Sequence, residues 1–274
     1  MFIKRGIYYM REKYRKILLE PIIGEITQGS IFNGAISKAY PDNKNVYGII
    51  ISPRCDIYNR KAPEYYYLPI VKLSDWMKVD FRDIFHKQIF KNAQNKLQKK
   101  LRSLNESDSI VGRFMPDEIE KILVNHKVKE NDDVFKALSI IRQIDMPNYD
   151  TLLKVDPFST KKNIIEDLIQ DKNTSYYFFE DEEEIGYVIR LREINKLSPE
   201  GLDQLSKGID STINKSVMKN CDLRYVEEKD LFMPIYQVAS PYTEHIMQRF
   251  LHLFNRIGVD DINSDTKQQI IDIL

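Results

Sequence analysis

Near Trp76 the hydrophobic pattern of this chain changes period, and that change limits the fold to a β-rich module followed by helices. Before it, short apolar stretches alternate with glycine and proline turns. After it, Phe81, Phe85, Ile89, Ala93, Leu97 and Leu101 recur every fourth residue. Successive side chains on a strand point to opposite faces, whereas a four-residue spacing keeps side chains on one slowly drifting face of a helix. A chain that passes from one pattern to the other is α+β.

Residues 24–34, with three glycines among alternating apolar positions, predict the first strand of a small barrel. Pro41-Asp42-Asn43-Lys44-Asn45 is a turn cluster, and residues 46–52 predict a buried strand that Pro53 stops. After a loop over 54–64, residues 65–73 predict a third strand, in which Pro69 marks an edge or a bulge. Three strands in so short a stretch make a compact barrel.

One long helix is predicted over 79–104, broken at Asn105-Glu106-Ser107-Asp108, with further helices over 116–126, 131–144 and 159–171. Residues 176–179 and 185–191 flank the acidic turn 180–184 as a β-hairpin, and 223–239 reads as another strand pair. Whether these late strands complete the first sheet is left open by the pattern. An amphipathic C-terminal helix opens at Ser240-Pro241 and stops at Gly258, with Ile246, Phe250, Leu253, Phe254 and Ile257 assigned to the core. The organisation expected is an N-terminal helix or arm over 1–20, a barrel over 21–77, a helical region over 78–172, and hairpin strands with the last helix over 173–274.

Lys plus Arg equals Asp plus Glu, at 41 each, so no global field favours nucleic acid or an anionic membrane. Any such partner is read by a local patch. Six basic residues interrupt the apolar positions of 1–20, leaving no signal-peptide core, and no stretch has the ~18 consecutive apolar residues of a bilayer span. With Cys55 and Cys221 as its two cysteines, read as free thiols, the chain is expected in the cytoplasm and off the membrane.

The most reactive-looking stretch is Ser52-Pro53-Arg54-Cys55-Asp56, because an arginine beside a thiol is a setting that activates it. Cys55 and Asp56 are therefore the candidates for catalysis, against the alternative of a small cysteine packed at a strand end. A cysteine nucleophile also needs a base, and no spacing says which of His86, His126, His245 and His252 comes near it. Arg54, Arg60 and Lys61 make a short cationic rim suited to phosphate. On the last helix, His245, Arg249, His252 and Arg256 fall in one stripe at spacings of four, three and four, able to contact a phosphate backbone or an acidic partner, or simply a solvated face. The basic residues of 78–102 are spread around their helix, which favours an ordinary surface over a nucleic-acid strip. No paired Cys-x-x-Cys, His-x-x-x-His or glycine-rich phosphate loop occurs, so neither a metal nor a cofactor is expected.

Gly24-Glu25-Ile26, Gly48-Ile49-Ile50-Ile51-Ser52 and Leu68-Pro69-Ile70 together resemble the small SH3-like barrel of the MazF/PemK endoribonuclease toxins, over residues 24–74. The resemblance implies an SH3-like β-barrel of bacterial, toxin–antitoxin-like type. Members of that family carry Arg-Pro before the second apolar strand and Thr-Ser after the later proline; this chain has Val46-Tyr47 and Val71-Lys72 there. The family's cleavage chemistry is therefore not carried over by the match.

The function expected is that of a binding or regulatory component of a bacterial system. It presents the barrel rim and the His/Arg stripe to a protein or nucleic-acid partner. The alternative is a metal-independent endoribonuclease with relocated catalytic residues, for which general acid–base chemistry needs no ligand set.

Overall fold

The computed structural model describes residues 15–42, 45–144, 147–181, 184–210, 220–224 and 231–254. In chain order its elements are β1 (Leu18–Leu19), β2 (Ser30–Asn33), β3 (Tyr47–Ile50), α1 (Arg54–Asn59), β4 (Tyr65–Lys72), α2 (Leu73–Lys78), α3 (Asp80–Ser103), α4 (Pro116–Asn125), α5 (Asp133–Ile141), α6 (Tyr149–Val155), α7 (Thr160–Ile169), β5 (Tyr176–Asp181), β6 (Ile185–Arg190), β7 (Asn195–Leu197), α8 (Pro199–Lys207), β8 (Ile209–Asp210), β9 (Leu231–Phe232), β10 (Pro234–Val238) and α9 (Tyr242–Leu251). The class is α+β. Two compact units share these elements: a helix-rich one from Met1–Arg15, Lys38–Asn45 and Ile70–Ile189, and a sheet-rich one from Lys16–Ser37, Val46–Pro69 and Arg190–Leu274.

In the helix-rich unit the four-residue spacing becomes the buried side of α3, where Phe81, Phe85, Ile89, Ala93, Leu97 and Leu101 are all inaccessible or nearly so. Helices α4, α5 and α7 stand where their patterns place them. Each has a local reason to start. Glu118 reaches back to the Met115 N–H at 2.9 Å, Asp132 accepts from the Val134 N–H at 3.0 Å, and Asp156 accepts from the Thr160 N–H at 2.9 Å. Helix α6 was not anticipated, although Asn148 caps it by accepting from the Thr151 N–H at 3.1 Å. Asp80, buried in the first turn of α3, accepts hydrogen bonds from the phenols of Tyr40 and Tyr176, so its desolvated carboxyl group is satisfied. The predicted hairpin is present as neighbouring strands β5 and β6.

The sheet-rich unit contains antiparallel strands ordered β1, β10, β2, β3 and the first residues of β4, which also pair with β7. Thus a strand near residue 236 lies beside one near residue 31: Tyr236 faces Ile31 and Gln237 faces Ser30. Of the expected 223–239 strand pair, joined by the charges at 227–230, the first strand and the connection lie outside the described residues except at 223–224; the second half holds β9, which pairs with β8, and β10, which pairs with β1 and β2.

Two further expectations are overturned. Residues 54–64 do not form a plain loop, because α1 occupies their first half. Of the edge or bulge expected at Pro69, the edge is corrected: Tyr65, Tyr66 and Tyr67 pair with β7, Ile70, Val71 and Lys72 pair with β6, and the proline, which has no N–H to give, falls where the pairing is interrupted.

The first predicted strand is shorter than its pattern, covering only Ser30–Asn33, because Gly29 and Gly34 on either side hold positive φ. At Gly34 a β-carbon would overlap the buried Phe232 ring. Around it, Phe32 and Tyr67 meet edge to face at 5.1 Å. The Tyr67 hydroxyl donates to the Asp222 carbonyl and accepts from the Ile36 N–H at 3.2 Å, and burial pushes this phenol far above its usual range.

The last helix is corrected on its inner side. Among its described residues Ile246 and Thr243 are buried, Phe250 and Leu253 are half-buried, and Phe254 is 49 % exposed. Phe250 borders an open apolar depression with Ile51, Pro53, Tyr66 and Ile194, which is why it is not enclosed. The expected N-terminal helix or arm over 1–20 lies outside the described residues except at 15–20, which hold the strand β1 and no helix, and Ile257 and the stop at Gly258 also lie outside them.

Candidate binding cleft

A cleft of about 680 Å³ in the sheet-rich unit is formed by the segment 24–27, helix α1 with the residue after it, and helix α8. Each wall has a local origin. Pro53 lacks an N–H and precedes α1, where a donor would be unsatisfied in any case. At the other end Arg60 takes left-handed backbone (φ 50°), and its N–H returns to the Ile57 carbonyl at 3.3 Å, ending the helix.

Helix α8 was not read from the sequence, yet its signals are plain. Ser198 accepts from the Gly201 N–H at 3.0 Å, Pro199 opens the helix, and Gly208 (φ 90°) closes it. With Leu202 and Leu205 turned to the core, Glu200, Asp203 and Lys207 at i, i+3 and i+7 share the side that lines the cleft. Buried Tyr65 also lines it, its hydroxyl donating to the Asp56 carbonyl at 3.4 Å. Tyr58 stands on its wall 89 % exposed.

The structure brings two of the predicted site residues into this cleft, Arg54 and Arg60, and neither is idle. Arg60 Nη2 lies 2.8 Å from Asp203 Oδ1, and Lys207 Nζ lies 2.7 Å from Asp203 Oδ2. Asp203 is therefore held below the usual carboxylate range, chiefly by the hydrogen bond from Lys207, with Arg60 adding to it against partial burial. Arg54 Nη2 is 3.6 Å from Glu244 Oε1 on α9, an exposed pair. Lys61 is exposed and does not line the cleft.

Cys55 is exposed on α1 rather than packed at a strand end, because the segment is helical there; its thiol donates to Asp56 Oδ1 at 3.6 Å. Asp56 is half-buried, and neither residue lines the cleft. On α9, His245 and Arg249 are half-buried and His252 is exposed beside Gln28, Glu244 and Gln248; Arg256 lies outside the described residues. Sequence reasoning missed Glu25, Tyr58, Glu200, Asp203 and Lys207. The missed signal was the Ser-Pro opening and glycine close of α8, which would have marked three of them as one helical face.

Among the described residues no group of three or more His, Cys, Asp or Glu side chains is placed to hold a metal ion, and no helix is long and apolar enough to cross a membrane. Comparison with known proteins finds no match to any family model, curated protein or solved structure.

Proposed function

We propose that this chain is a binding or regulatory component of a bacterial system, and that the cleft of its sheet-rich unit takes a polypeptide segment. The observation that carries the reading is the state of the cleft's cations. Arg60 and Lys207 both already hold Asp203, and Arg54 faces Glu244. A nucleic-acid site needs positive charge available to displace counterions from phosphates. A polypeptide site needs shape, apolar contact and a few polar anchors, which Ile26, Ile57, Tyr58 and Tyr65 can supply in a cleft of about 680 Å³. An exposed tyrosine is the kind of rigid amphipathic side chain that anchors such contacts. The Cys55 thiol contacts a carboxylate, not an imidazole, which favours binding over cysteine catalysis.

We extend the proposal to the strand layout and setting. The neighbouring positions of β2, β3 and β4 support a MazF/PemK-like, SH3-like module over 24–74, and free thiols at Cys55 and Cys221 support the cytoplasm.

The test probes an array of mixed-sequence peptides and a set of short single-stranded RNAs with the purified full chain. Peptide binding that is lost in Tyr58→Ala is expected, with RNA held only weakly at about 200 mM salt. RNA binding that survives that salt and disappears in Arg54→Ala or Arg60→Ala would overturn the reading.

A further inference from the structure

The lining of the cleft carries three cations, Arg54, Arg60 and Lys207, and three acids, Glu25, Glu200 and Asp203. Balanced in number, they are not balanced in partners. All three cations are paired, and Asp203 is shared by two of them. The side chains of Glu25 and Glu200, both residues being exposed, form no hydrogen bond or ion pair with any described residue. With Arg54 offset by Glu244, the Arg60–Lys207–Asp203 group leaves one positive charge and Glu25 with Glu200 two negative ones, so the charge left over is a single negative one.

An anionic ligand would have to share Arg60 and Lys207 with Asp203, already bound at 2.8 and 2.7 Å, and would meet the unpaired Glu25 and Glu200. A cationic ligand breaks none of these. Tyr58 adds a second feature of the same sign, since an accessible phenol ring attracts an ammonium or, better, a planar guanidinium over its face. The buried Tyr65 and half-buried Ile26 and Ile57 supply apolar wall for the aliphatic stem of such a side chain.

We propose that the polypeptide segment taken by this cleft presents an arginine or lysine side chain to Glu25, Glu200 and Tyr58. This deepens the polypeptide reading above and rests on it. Glu200 also lies in the first turn of α8, where a carboxylate favours the helix by itself, so Glu25, on an irregular segment, is the more diagnostic of the two acids.

The test titrates the full chain with nonapeptides of glycine, serine and alanine built around Leu-Arg-Leu, Leu-Glu-Leu or Leu-citrulline-Leu. The arginine peptide should bind about 10-fold more tightly than the glutamate peptide, and the pair Glu25→Gln and Glu200→Gln should erase most of that preference while weakening the citrulline peptide far less. Tyr58→Leu should weaken the arginine peptide more than the citrulline peptide. Thermal melts of each variant check that the fold is intact. Equal or tighter binding of the glutamate peptide overturns the cationic reading and leaves the polypeptide cleft standing. Failure of all three peptides, with RNA bound instead, removes both.

Discussion

Helices α3 and α9 carry the same kind of apolar spacing and bury very different shares of it. On α3, in the helix-rich unit, every apolar position of the repeat is enclosed. On α9, in the sheet-rich unit, Ile246 is enclosed while Phe250 borders an open depression, and Phe254, in the turn just after the helix, is half in solvent. Spacing tells which side chains share a side of a helix; what stands opposite decides how much of that side leaves water. For α3 the opposing residues come from nearby helices, as in its packing with α5. For α9 they come from segments such as residues 28 and 51–53, remote in sequence.

The contrast can be broken most directly by truncation. Leu97→Ala on α3 should cost about 3–5 kcal/mol of unfolding free energy in urea, whereas Phe250→Ala on α9 should cost less than about 2 kcal/mol because its site is already open. Equal losses would show that the depression beside α9 is closed in solution.

In the sheet-rich unit, Gly34→Ala should cost about 2–4 kcal/mol, combining positive-φ strain with the Phe232 overlap. Gly112→Ala in the helix-rich unit, where a β-carbon meets nothing, should leave the urea midpoint nearly unchanged.

The smallest effect is electrostatic and belongs to the helix-rich unit. Asp132 is held below the usual carboxylate range, first by the hydrogen bond from Lys100 at 2.7 Å and then by the Val134 N–H it caps. A depressed folded-state value means its contribution is present above the unfolded Asp range and is lost as pH falls through the folded value. With both side chains partly exposed, the size is under about 1 kcal/mol, and Lys100→Gln should flatten the acid limb of the stability profile by that much.

Much of the helix-rich unit was legible because its information is local. The α3 repeat, the proline opening of α4 and the acidic turn between β5 and β6 all act within a few residues. The sheet-rich unit was legible only in pieces. Residues 47–50 announced a buried strand, but nothing near Ser30 says that Gln237 will lie beside it. The cleft shared that fate. Arg54 and Arg60 were found as cations, but the carboxylate that Arg60 meets sits at Asp203, on a helix that went unread. Charge at a site is a property of pairs, and pairs between remote segments are invisible to spacing.

The cleft itself is tested most directly by titrating the isotope-labelled full chain with the arginine nonapeptide and mapping amide shifts. The account predicts that the largest changes fall on Glu25, Ile26, Tyr58 and Glu200. Changes confined to α9 around His245 and His252, or to the helices of the other unit, would contradict it.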